Sequence, residues 1–436
     1  MSRRMCLLAG ALLGCVLSVW TAAAAEPAAG APAAAPAGTP SRVLVLVDKT
    51  VYPDVKAGLE TYFADVRKLM PVDFKVLAED FYHMKPVDIR ARLKTEYTGS
   101  KPPVVGAIMC GPIPYALRGG TNPGDLVTCL PYYYEDFDAK WYDDNADGIE
   151  DRCEQDRATN PAEIWTAWWV PPSDDRAEQT KLLQGFLTKL DRHYKGQTPA
   201  RDGMIFLEGN GNSVEITEAW YCLLSDAMKS TGQKMAKVFS ADADADMNGL
   251  VAPPPGKSYV RADLENDLYN NRYQHVHTVT HGSPDGIWVS DGRVSFDMSK
   301  FHDTGAVIFT TSGCGNGNFH GSYRAKPDYA NSIGDRLIFA PNCLTIAYYG
   351  ATTPQSTGVF AIVHTPLGEY LDPEKGMGIG EGYLKLLNSD VCWGTSHFLF
   401  RGGDGKALLG DPFARYTRVP PAPGGATAAA GTPAAQ

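Results

Sequence analysis

The chain has 436 residues, a net charge of −10, 44% hydrophobic and 21% charged side chains. The acidic balance argues against nucleic acid or an anionic membrane surface as partner, and the apolar content is enough for a sizeable core, which excludes a wholly disordered chain. No apolar run reaches the roughly 18 residues that a membrane-crossing helix needs, so no membrane span is expected.

Residues 1–25 read as a signal peptide: Arg3 and Arg4 supply charge, Cys6 to Trp20 form an apolar core, and Thr21 to Ala25 give a small-residue cleavage region. The pattern predicts an exported protein, periplasmic or secreted. Leu12-Leu13-Gly14-Cys15 resembles a lipobox, but the apolar run continues past Cys15, so lipid attachment there is the minor alternative. Residues 26–41 and 419–436 are almost all Ala, Pro and Gly, a linker and a tail that bury too little to fold.

The folded part begins with the apolar run Arg42 to Asp48, the pattern of a strand buried on both faces. Helical patterns follow near 54–69 and 86–96, with strand-like runs at Phe74 to Leu77 and Val104 to Met109. Ser173, Asp174 and Asp175 open a helix whose Leu182, Leu183, Phe186, Leu187 and Leu190 share one face, ending near Gly196. A second alternating series starts there: a strand at Met204 to Leu207, a helix at 214–230, a strand at Ala236 to Phe239 and a helix at 261–272. Strands at His275 to Thr280 and Ala306 to Thr311 close it. The alternation predicts an α/β fold with a doubly wound, mostly parallel sheet in two packed subdomains, 42–200 and 201–418.

The last two strands lead into His281-Gly282 and Ser312-Gly313-Cys314-Gly315. Open parallel sheets bind ligands at the carboxyl ends of their strands, and a cysteine nucleophile needs a neighbouring histidine to take its proton and return it to a leaving amine. His281 and Cys314 are the candidate pair. Gly282 lets the main chain approach a substrate closely, so the N–H groups of Gly282 and Cys314 are the candidate oxyanion donors. A rival reading places His275, His277 and His281 on one strand face as metal ligands, as in a metal-dependent hydrolase, although no carboxylate or cysteine cluster accompanies them.

An apolar strand ending in His-Gly followed by one ending in Cys resembles the caspase-like peptidases. Within them, Cys314-Gly315-Asn316-Gly317-Asn318-Phe319 is similar to the Cys-x-x-Gly-x-Phe of gingipain-type cysteine peptidases. Ala330 to Gly334 resembles the helix after the nucleophile, Tyr349 to Thr352 the next strand end, and Leu408 to Pro412 the closing strand. In the first half, Val105 to Gly111 with Ile113-Pro114 matches more loosely, and Trp168-Trp169-Val170-Pro171 stands where the family has Gly-Arg-x-Pro. The resemblance implies a caspase-like fold and a thiol endopeptidase acting on peptide or protein substrates. It points to Glu215 as a carboxylate for a basic substrate side chain, with Gln355 and Thr357 lining the same pocket. The alternative for Glu215 is a helix-start residue favoured by the dipole.

Asp143 to Glu154 satisfies the calcium-loop pattern, with Asp143, Asn145, Asp147, Asp151 and Glu154 as side-chain ligands, the Ile149 carbonyl as a further one, and Gly148 at the turn. Helical flanks are missing, so a lone structural Ca2+ loop is expected rather than an EF-hand, with a solvated acidic turn as the alternative. Asp244 to Gly249 repeats only the start of the pattern. No organic cofactor is implied. Signal removal leaves an odd number of the nine cysteines, so at least one thiol stays free: six others pair in up to three disulfides, or several are simply buried thiols. The competing function class is an exported, calcium-stabilised binding or scaffold protein that keeps the fold without turnover; both dyad positions being filled favours the peptidase.

Overall fold

The computed structural model describes residues 40–119, 127–150, 152–154, 161–198, 201–208, 235–240, 261–289, 292–311, 313–319, 332–352, 378–388 and 405–415. Its ten-stranded sheet comprises β1 (Ser41–Asp48), β2 (Val72–Glu79), β3 (Val104–Cys110), β4 (Trp165–Trp169), β5 (Arg201–Glu208), β6 (Met235–Ser240), β7 (Arg272–Val279), β8 (Gly305–Thr311), β9 (Ala347–Ala351) and β10 (Lys406–Gly410). Helices described are α1 (Tyr52–Arg67), α2 (Pro86–Gly99), α3 (Arg176–Tyr194), α4 (Arg261–Asn270), α5 (Ile333–Phe339) and α6 (Ile379–Leu387).

The strands lie in the order β6-β5-β7-β8-β9-β10-β4-β3-β1-β2. Every neighbouring pair is parallel except β9 and β10. Two parallel blocks therefore meet edge to edge at one antiparallel seam, and their carboxyl edges face opposite ways. The fold is the expected α/β, mostly parallel type. The first block's helices form where the apolar spacing places them: α1 buries Val55, Leu59, Tyr62, Phe63 and Val66, and α3 buries Leu183, Phe186, Leu187 and Leu190. Asp175 caps α3 by accepting the Glu178 N–H, which satisfies one of the donors a helix start leaves open.

Two features depart from the sequence expectations. Trp165–Trp169 is a central strand with all three indoles buried; a methyl group on Gly106 would come 2.1 Å from the Trp165 ring, so β3 is bare there to admit it. And β10, expected to close the second subdomain, pairs in parallel with β4 of the first block as well as antiparallel with β9. A further tie spans the blocks: the buried Lys189 ammonium on α3 donates to the carbonyls of Ala340 (2.9 Å) and Thr345 (3.0 Å), and to that of Ile338. Burial pulls its pKa down to about 8. The expected helix at 214–230, the Asp244 to Gly249 turn, the leader, the linker and the tail lie outside the described residues.

Candidate active site

β7 and β8 are adjacent and parallel, with Thr278 opposite Thr311. The chain leaves both strands at the same edge of the sheet, so residues three beyond each register pair, His281 and Cys314, emerge side by side. Within the strands, His275 and His277 are buried, and each ring nitrogen facing β8 lies 2.8 Å from Thr310 Oγ1. Burial lowers the His275 pKa to about 3, which keeps that ring neutral. His281 is different: it lies past the strand end and is exposed. The three histidines thus do not converge, and among the described residues no three His, Cys, Asp or Glu side chains gather as metal ligands.

After His281 the chain forms a small three-stranded meander of Gly282–Ser283, Gly286–Val289 and Gly292–Val294. The Trp288 N–H donates to the His281 carbonyl at 2.9 Å, and Trp288 itself is 43% exposed. After β8 the chain turns through Cys314 to Gly317. Gly313 N–H donates to Thr311 Oγ1 (2.9 Å) and Asn318 N–H to the Gly315 carbonyl (2.9 Å). Gly315 has φ of 66°, a left-handed conformation that suits glycine.

Each later residue of the Cys314 to Phe319 motif is anchored. The Gly317 N–H donates to the Ala351 carbonyl at 2.7 Å. Asn318 Oδ1 accepts the Cys129 N–H at 3.2 Å. Phe319 stacks on Trp168 with centroids 5.0 Å apart. The two turns also touch: a methyl group built on Gly282 would sit 2.8 Å from Cys314 N and 2.5 Å from Asn316 Oδ1. Gly282 and Cys314, the candidate oxyanion donors, are therefore in main-chain contact, with the half-buried Cys314 thiol on one turn and exposed His281 on the other.

Comparison with solved structures finds the same architecture. The arginine-specific cysteine proteinase gingipain R (RgpB) matches with a TM-score of 0.54 at 13% identity, covering 86% of this chain and 78% of that one. The fold is gingipain-like. A structure described only as a protease matches this chain with the same TM-score of 0.54, at 11% identity and with coverage of 86% and 78%. A complex of the Porphyromonas gingivalis RgpB pro- and mature domains gives 0.51 and 12%, covering 86% and 79%. No protein-family profile and no curated protein sequence matches the chain.

Glu215, Gln355, Thr357 and Asp151, also expected at functional sites, lie outside the described residues. In the acidic loop, Asp143 Oδ2 accepts the Gly148 N–H (2.8 Å), Asn145 Oδ1 the Asp147 N–H (3.0 Å) and Asp147 Oδ1 the Ile149 N–H (2.9 Å). Ala146 and Gly148 take φ of 59° and 83°, which winds these oxygens around the loop's own backbone. Two short antiparallel strands, Lys140–Tyr142 and Arg152–Glu154, flank the loop in place of helices. Ile149 is buried, and Glu154 accepts the Tyr142 hydroxyl at 2.6 Å. The sequence pattern leaves Asn316 without a role and passes over Thr311 and Trp288. A polar side chain two residues after the candidate nucleophile, next to glycines too small to satisfy it, is the signal available for Asn316.

Proposed function

We propose that this protein is an exported cysteine endopeptidase in which Cys314 and His281 form the catalytic dyad. The observation that carries the reading is the close approach of the two turns at the carboxyl edge of β7 and β8, where a methyl group on Gly282 would come 2.8 Å from Cys314 N. The gingipain-like fold supports the same assignment. His281 takes the Cys314 proton as the thiolate attacks a peptide carbonyl, and the C–S bond forms as the carbonyl oxygen becomes negative. The N–H groups of Gly282 and Cys314 stabilise that oxygen, an effect typically worth about 3–4 kcal/mol per donor. His281 then protonates the departing amine, and water, giving up a proton to the same ring, releases the acyl group and regenerates the thiol.

Substrate selection falls to the residues after β9 and before β7: Glu215 as the carboxylate for an Arg or Lys side chain, with Gln355 and Thr357 beside it. The acidic loop completes the proposal as a structural Ca2+ site using Asp143, Asn145, Asp147, the Ile149 carbonyl, Asp151 and Glu154. The supports are its sequence pattern and the turn at Gly148. The loop takes no part in the reaction, so chelation is expected to lower the melting temperature and Asp143→Ala to abolish the chelator's effect. A chelator effect unchanged in Asp143→Ala would move the ion elsewhere.

The activity is tested by incubating the mature protein with a peptide library in calcium and a mild reductant, alongside Cys314→Ala. Cleavage after Arg or Lys that the variant loses supports both dyad and pocket; cleavage after other residues keeps the dyad and discards Glu215. No cleavage, together with a Cys314 that resists alkylation in folded protein, would favour a scaffold that retains the fold without turnover.

A further inference from the structure

Asn316 is fully buried where the Cys314 turn meets the His281 turn. Its Nδ2 donates both of its hydrogens, one to the Ser283 carbonyl (2.6 Å) and one to the Gly286 carbonyl (2.7 Å). Both acceptors belong to the meander that begins immediately after His281. Its Oδ1 accepts the Thr311 hydroxyl at 3.3 Å, and the same hydroxyl oxygen accepts the Gly313 N–H at 2.9 Å. The amide orientation follows from chemistry: turned over, it would set its oxygen against two carbonyl oxygens. Crowding confirms how closely the group is held, since a methyl group on Gly313 would come 1.9 Å from Asn316 Oδ1.

We propose that Asn316 is a positioning residue: its side-chain amide locks the Cys314 turn to the His281 turn and so fixes the separation of thiol and imidazole. The inference rests on the peptidase reading of that pair. Asn316 bridges the two halves of the junction, whereas the Gly317 N–H and the Asn318 side-chain oxygen reach outward, to β9 and to Cys129. Only a primary amide supplies two donors and an acceptor at once in so small a volume. An aspartate is the same shape but gives the two carbonyls no hydrogen, and alanine leaves them without a buried partner. Either change lets the turns separate without touching the reacting atoms, and a misplacement of about 1 Å in such a constellation lowers the rate about 100-fold.

The test compares wild type, Asn316→Asp, Thr311→Val and His281→Ala in the full mature chain. Four quantities are read: melting temperature, kcat and KM for a cleaved peptide, and the rate at which iodoacetamide alkylates Cys314, located by mass spectrometry. Asn316→Asp is expected to lower kcat about 100-fold with KM within about threefold, and to slow Cys314 alkylation to the level of His281→Ala. Thr311→Val shifts both in the same direction by less. A folded Asn316→Asp protein with wild-type kcat and His281-dependent alkylation would overturn the inference and leave the peptidase reading standing. If wild-type alkylation does not depend on His281, the dyad itself falls and the inference with it. Should Asn316→Asp fail to fold, Thr311→Val decides on the same criterion.

Discussion

At Gly282 there is room for a hydrogen and nothing larger. Alanine there would press on Cys314 N at 2.8 Å and on the Gly313 carbonyl carbon at 2.8 Å, both of them backbone atoms that cannot swing aside. Gly282→Ala is therefore expected to lower kcat by about 100-fold while the melting temperature falls only modestly, because the strain is confined to two turns; a variant of wild-type turnover would disprove the close approach. The placement of the pair was legible in advance, since a histidine followed by glycine at one strand end, and a cysteine between glycines at another, put His281 and Cys314 at one edge of the sheet. The Asn316 amide was not. Its role depends on two carbonyls some thirty residues earlier in the chain, and no local pattern announces which carbonyls a side chain will meet.

At the scale of single elements, apolar runs such as β1 and β8 declared themselves because both faces are covered. The strand Trp165–Trp169 did not, for its short, aromatic run has the look of a loop anchor until a bare glycine on β3 is placed against it. Lys189 also misleads: it lies three residues after Phe186, on the apolar face of α3, where a lysine reads as a solvated residue unless carbonyls at the end of α5 and ahead of β9 wait for it. Glu135 shows what such burial does to a carboxyl group. Its Oε1 accepts the Thr166 N–H (3.1 Å) and hydroxyl (2.6 Å), its Oε2 the Tyr383 hydroxyl (3.0 Å), linking β4 to α6. Desolvation outweighs these bonds and raises its pKa to about 8, against about 4.3 in an unfolded chain. The folded protein then holds a proton that the unfolded one releases, so this group's contribution to stability is full below about pH 4 and is lost as pH rises to about 8. Glu135→Gln keeps an acceptor for Thr166, while the Tyr383 hydroxyl can turn to the Lys406 carbonyl at 3.3 Å. The melting temperatures of wild type and variant are expected to converge at low pH and to separate, with the variant higher, toward pH 8; parallel profiles would show that burial leaves the Glu135 carboxyl titrating as it does in the unfolded chain.

Across the whole molecule, the antiparallel contact of β9 with β10 makes one sheet of two opposed parallel blocks. β10 is held from both sides, and Asp411 just beyond it accepts the hydroxyls of Tyr62 on α1 and Tyr194 on α3, each at 2.6 Å. A chain ending at residue 404 would leave β4 and β9 as open edges with unpaired N–H and C=O groups. Such a truncation is expected to be insoluble or to lose its cooperative melting transition, whereas removal of the Ala- and Pro-rich tail from 419 onward should leave melting unchanged. A soluble, cooperatively melting 404-residue chain would show that the seam is dispensable.

The same seam sets a clock on biogenesis. Ala167 meets Leu408 only after all the residues between them have been made, and synthesis proceeds at about 5–20 residues per second. For tens of seconds the edge of β4 that β10 covers has no partner, and an unpaired strand edge is a template for pairing with another chain. Arrival of the final strand closes that edge, so the order in which the strands join the sheet sets how long a growing chain stays open to pairing with its neighbours.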